Sequence, residues 1–157
     1  MRGKWKLVGM LLVACMLVMP MMPVESASQA YVETETESSS ESGWGPTFLT
    51  LYPYVINDKC VGARTKAWVF GHYGDTVKLT LYWKNVELTT GDSWPDDDAT
   101  KTWTKGFGYW YYILGATWTY NNEWVFESGD FKSKLWVDGE LEDETGWKHF
   151  TKDSTST

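Results

Sequence analysis

A chain of 157 residues has room for one ordinary domain once its ends are set aside. Its 21 acidic against 14 basic residues, net −7, give it the wrong sign for binding nucleic acid or an anionic membrane surface. Eleven Trp, nine Tyr and six Phe are the anomaly of the composition, and no window shows helical periodicity, so the expectation from the outset is an all-β protein.

Taken in order, Arg2, Lys4 and Lys6 precede an uncharged run from Leu7 to Val24, which reads as a secretory signal over residues 1–30, with cleavage near 26–30. Two alternatives stay open. The run is long enough for a short membrane span, although Pro20 and Pro23 oppose it. Leu12-Val13-Ala14-Cys15 also resembles the lipobox of bacterial lipoproteins. The membrane is a partner only if the signal is retained or Cys15 is acylated. Cleavage past Glu25 leaves 11 basic and 20 acidic residues, net −9, and Cys60 as a lone thiol, either buried or bridged to another chain.

Residues 31–42, YVETETESSSES, carry acids and hydroxyls and little to bury, and predict a disordered, self-repelling tether. The folded domain is expected over 43–150. Thr47 to Ile56 is a strand placed at an edge or bulge by Pro53. After the polar turn at Asn57 to Lys59, Ala63, Thr65, Ala67 and Val69 alternate with Arg64, Lys66 and Trp68. Val77, Leu79, Leu81 and Trp83 alternate with Lys78, Thr80, Tyr82 and Lys84. Gly91 to Thr100 reads as a loop, and Thr102 to Tyr112 as a strand with a bulge or bend at Gly106 and Gly108.

From Phe107 to Gly139 the chain is densest in aromatic residues. Asn121-Asn122 and Asp138-Gly139 suit two-residue hairpin turns, which need positive φ. Around the first, Trp118 and Tyr120 are expected to face Trp124 and Phe126. Around the second, Phe131, Ser133, Leu135 and Val137 share one face, and Lys132, Lys134 and Trp136 the other. Thr145 to Phe150 extends the last strand, and residues 151–157 fray. The count is roughly seven to nine strands, the spacing of a single antiparallel β-sandwich.

The stretch EWVFESGDFKSKLWVDGELEDE, Glu123 to Glu144, resembles the last two strands of immunoglobulin-like and fibronectin-type modules of prokaryotic secreted and surface proteins. The resemblance implies an immunoglobulin-like sandwich. Two departures leave the topology open: Phe131 stands where a tyrosine-corner hydroxyl would be, and no cysteine pair is present to bridge the sheets.

No nucleophile motif, phosphate-binding glycine loop or Cys-x-x-Cys occurs, so the reading is a non-catalytic binding module, not an enzyme. Asp92, Asp96, Asp97 and Asp98 are the best cluster of hard ligands, a weak calcium candidate that lacks the spaced register of a calcium loop. The stronger signal is aromatic. Trp68, Tyr82 and Trp136 fall among polar neighbours, and Trp94 and Trp103 lie on or beside the acidic loop. A pyranose stacks its apolar face on such rings, so carbohydrate is the first expected ligand and another surface protein the second. For any single ring, the competing reading is an edge aromatic packed under a lysine stem. The alternative function is an adhesive or structural subunit of an extracellular assembly, self-associating by edge-strand pairing through Thr47 to Ile56. Either way the protein is expected outside the cell.

Overall fold

The computed structural model describes residues 31–41, 47–71, 74–106 and 108–155. The signal reading, Cys15 and His72 lie outside the described residues. Eleven strands and no helix occur among them: β1 Tyr31–Glu41, β2 Phe48–Ile56, β3 Lys59–Gly71, β4 Thr76–Leu88, β5 Ser93–Trp94, β6 Asp97–Thr104, β7 Gly108–Tyr120, β8 Glu123–Trp124, β9 Phe126–Val137, β10 Glu140–Glu144 and β11 Lys148–Thr151. They form two antiparallel sheets packed face to face, a β-sandwich. The first runs β1-β7-β3-β2, with β8 also on β7; the second runs β10-β9-β4-β5, with β11 on β9 and β6 on β4.

Period-two alternation fixes which side of each strand faces the other sheet. From the first sheet, Ala63, Thr65, Ala67 and Val69 of β3 and Tyr112, Leu114, Ala116 and Trp118 of β7 point inward. From the second come Val77, Leu79, Leu81 and Trp83 of β4, Phe131, Ser133 and Leu135 of β9, and Phe150 of β11. The small residues of β3 make room for the large rings. Trp83 meets Trp118 edge-on at 5.6 Å, and Trp118, Phe126, Phe131 and Phe150 continue as a chain of ring contacts at 5.6–5.9 Å. Each such pair adds about 0.5–1.5 kcal/mol beyond the area it buries.

The sheets are also tied by hydroxyls. Thr65 donates from Oγ1 to Ser133 Oγ at 2.7 Å, and Ser133 donates in turn to the Thr80 carbonyl at 3.1 Å, with Thr65 and Ser133 fully buried. This bridge joins β3 of the first sheet to β9 of the second.

The expected turns form. Asn57-Asp58, Asn121-Asn122 and Asp138-Gly139 all have positive φ, between 50° and 81°. The edge position of β2, with its Pro53, agrees with the reading of that proline. Cys60 is a free thiol, fully buried, and burial pushes its pKa up.

Several expectations are corrected. Tyr31–Glu41, expected as a disordered tether, is a strand: all eleven of its residues pair with β7 without a register shift. Beyond Tyr31 and Val32 its composition has nothing apolar to bury, but an open sheet edge offers backbone partners that need no side chain. The acidic stretch read as a loop holds β5 and the first half of β6, strands that pair with β4 between Thr76 and Glu87. Thr102 to Tyr112 is not one strand: β6 ends at Thr104, and the chain crosses to the other sheet before β7 starts at Gly108, whose φ is 102°. Around Asn121-Asn122 the two-residue turn pairs Tyr120 with Glu123 and Thr119 with Trp124, so Trp118 stands opposite Val125. Phe126 already belongs to the second sheet. The tail is held as far as it is described: the Lys152 carbonyl accepts from Cys60 N at 3.0 Å, and Lys152 N donates to Glu127 O at 2.8 Å.

Candidate functional site

The sandwich separates the five ring candidates. Trp68 lies on the outer face of the first sheet, half-buried, with Phe48 at 5.7 Å, Tyr109 at 5.5 Å and Tyr111 at 5.1 Å. Trp94 and Trp103 pair with Val86 and Val77, which point inward, so both rings pack against the core; Trp103 contacts Tyr112 at 4.8 Å. Only Tyr82 and Trp136 share an outer face. They are joined there by a residue the sequence reading did not single out, Trp147, which is 44% exposed between β10 and β11.

That outer face of the second sheet is built by the alternation of β4 and β9. Lys78 stands opposite Trp136, Thr80 opposite Lys134, Tyr82 opposite Lys132 and Lys84 opposite Asp130. Lysine ammonium groups lie over the rings: Lys78 over Trp136 at 4.1 Å, Lys84 over Trp147 at 4.2 Å, and Lys132 over Trp147 at 5.8 Å. Lys134 sits between two rings, 5.5 Å from Tyr82 and 5.9 Å from Trp136. At exposed sites each contact is worth about 0.5–1 kcal/mol, little enough for a ligand to displace a lysine from a ring.

Carboxylates complete the face. Glu144 takes Lys132 at 2.6 Å and Lys134 at 3.8 Å, and the hydrogen bond from Lys132 is the main reason its carboxyl titrates below the ordinary range. Asp130 accepts from Asn85 at 3.0 Å and pairs with His149 at 2.8 Å; the Asn85 bond leads in holding its carboxyl low. Burial, helped by the charge of Asp98, pushes the Tyr82 phenol up. The face thus offers flat apolar rings with charged donors and acceptors between them. The signal for Trp147 in the sequence was a lone tryptophan between Gly146 and Lys148 in a polar stretch.

The four aspartates do not converge. Asp97 and Asp98 are neighbours in β6 and so alternate between faces. Asp96 accepts from the Asn85 backbone at 3.1 Å, and Asp92 accepts from the Thr90 hydroxyl at 3.0 Å. Among the described residues no group of three or more His, Cys, Asp or Glu is placed to hold a metal ion. Compared with family models, curated proteins and solved structures, the chain finds no significant match in any of the three.

Proposed function

We propose that the protein is a secreted or cell-surface, non-catalytic binding module that takes carbohydrate on the outer face of its second sheet. The observation that carries this reading is the gathering of Tyr82, Trp136 and Trp147 on one sheet face, with Lys78, Lys132, Lys134 and Glu144 interleaved. Pyranose rings stack on indole and phenol faces, while their hydroxyls accept from ammonium groups and donate to carboxylates. Secretion is supported by the charge and apolar pattern of residues 1–30.

Membership of the immunoglobulin-like class is supported by strand pairing. With β2, β3, β4, β6, β7, β9 and β10 counted as the seven strands in order, the first, second and fifth share one sheet, and the third, sixth and seventh the other. The fourth, β6, pairs with the third rather than joining the fifth, which distinguishes this sandwich from the constant-type arrangement.

The test is retention of the purified protein on insoluble polysaccharides and cell-wall preparations, with tryptophan fluorescence followed on soluble oligosaccharides. Retention that falls at least tenfold in Trp136→Ala and in Trp147→Ala, but not in Trp68→Ala, is the expected result. Equal retention of all three variants, or none on any glycan, overturns the reading.

A further inference from the structure

The edge of the first sheet is closed by a strand with an unusual hold on the molecule. β1 runs along β7 for eleven residues, Tyr31 opposite Thr119 through to Glu41 opposite Tyr109. Among the described residues, β7 is the one element on which it packs to any extent. Thr34 and Thr36 are exposed although they pair with Ala116 and Leu114, which are 0% and 1% exposed. At these two positions the inner residues of β7 are therefore covered by the second sheet, and β1 adds a ladder of backbone hydrogen bonds but no buried side chain. The net gain of one such bond is of the same order as the cost of ordering the residue that makes it. A strand held this way chooses its partner by local concentration rather than by burial.

The connection permits a choice. β1 and β2 form opposite edges of the sheet, three strand spacings apart, or about 14 Å. Seven residue steps separate Glu41 from Phe48, and they reach up to about 24 Å. β1 is not hairpin-linked to β7, and no turn geometry ties it to the β7 of its own chain. Departure of β1 would leave the long edge of a thirteen-residue strand open in an otherwise folded sandwich.

Register gives the edge its specificity. Across the sheet Glu37 stands in the row of Ile113 and Lys66, and Glu35 in the row of Gly115 and Arg64. A slip of one residue would take the glutamates of β1 out of the rows that carry those cations.

We propose that β1 is an exchangeable strand, which completes the β7 edge of a second copy of this chain in the same register and so links copies into an oligomer. The segment that pairs between chains is then Tyr31–Glu41, in place of the Thr47 to Ile56 expected from the sequence. This inference stands on β1 alone and is independent of the ligand on the other sheet.

Directly opposed residues in an antiparallel pair have Cα atoms about 4.5–5.5 Å apart, within disulfide range. Glu33 and Thr117 are such a pair. In a Cys15→Ser background, Glu33→Cys protein with a heavy isotope label is mixed with unlabelled Thr117→Cys protein and gently oxidised, and intact masses are read without reductant. A parallel mixture with Thr90→Cys, an exposed position in the turn between β4 and β5, reports random collision. The expected result is a heavy–light dimer at least tenfold above that control and rising with concentration. The Glu33→Cys/Thr117→Cys double variant closes within one chain and no longer associates. Closure of the double variant without cross-linking in the mixture overturns the proposal, as does failure to cross-link both within and between chains.

Discussion

The hydroxyl bridge between Thr65 and Ser133 permits a quantitative test of how the two sheets are joined. Both residues are fully buried, and their oxygens are 2.7 Å apart, with Ser133 donating onward to the Thr80 carbonyl. Thr65→Val keeps the β-branched shape but removes the donor, so the Ser133 oxygen keeps its own bond to the Thr80 carbonyl and loses the donor it accepts from, away from water. Leaving a buried polar group unsatisfied costs about 1–3 kcal/mol. Ser133→Ala removes both the acceptor for Thr65 and the donor to Thr80; Thr65 can turn to the Thr50 carbonyl at 2.9 Å, so this cost should fall in the lower half of the same range. The double variant replaces a polar pair with an apolar pair of similar volume and should cost less than the two singles together. A coupling of about 1 kcal/mol or more is expected across the sheets. Urea unfolding followed by tryptophan fluorescence measures it: with a slope of about 1–3 kcal/mol per molar urea, each single change should move the midpoint by roughly 1 M. Additivity of the two substitutions to within about 0.5 kcal/mol would refute the bridge as an energetic link between the sheets.

Two further outcomes follow from titratable groups. The Tyr112 hydroxyl is buried without a partner among the described residues, and burial pushes the phenol up to about 12. Tyr112→Phe should therefore stabilise the protein by about 1 kcal/mol at neutral pH. Because the folded pKa is raised, the neutral phenol's contribution is present below the ordinary tyrosine value near 10 and lost as pH rises toward about 12; Tyr112→Phe should flatten that alkaline loss of midpoint, and parallel curves would count against it. Asp130 is held low, first by Asn85 and then by His149, so its contribution is present above the ordinary aspartate value and lost as pH falls below about 4. Asp130→Asn should be less stable at pH 6 and should lose less on acidification; equal acid slopes in urea midpoints would show that Asp130 carries no linkage.

Much of the sandwich was legible because period-two alternation and primed turns are local signals. Phe131, Ser133 and Leu135 inward against Lys132, Lys134 and Trp136 outward could be read from nine residues of sequence, and the structure keeps that division. β1 was not legible, because nothing in Tyr31–Glu41 declares a buried face: its partner strand lies about seventy residues further on, and its pairing rests on backbone groups that every sequence carries. The acidic stretch misled in the same way. Asp97 and Asp98 looked like loop residues, yet as an edge strand on β4 they need bury nothing. For the aromatic residues, alternation placed Tyr82 and Trp136 on a polar face but could not say that Trp68 sat on the other sheet. Nor could it say that Trp94 and Trp103 turned toward the core.

The distribution of charge follows from these edges. The acidic residues gather on strands with one neighbour: Glu33, Glu35, Glu37 and Glu41 on β1, Asp97 and Asp98 on β6, and Glu140, Glu142, Asp143 and Glu144 on β10. Another edge strand, β2, carries Pro53. Like charge along an open edge repels an approaching strand of the same kind, and proline removes a ladder donor, so these four strands are guarded against indiscriminate pairing. Four lysines, Lys78, Lys84, Lys132 and Lys134, stand instead on the central strands β4 and β9, among the rings of the second sheet. A net-negative chain can in this way keep a face with charged donors and still resist aggregation at its borders. It also follows that β7, whose own sequence from Gly108 to Tyr120 contains no charged residue, is unguarded wherever β1 is absent. That edge is the one covered by β1, the strand proposed above to exchange with a second copy in the same register.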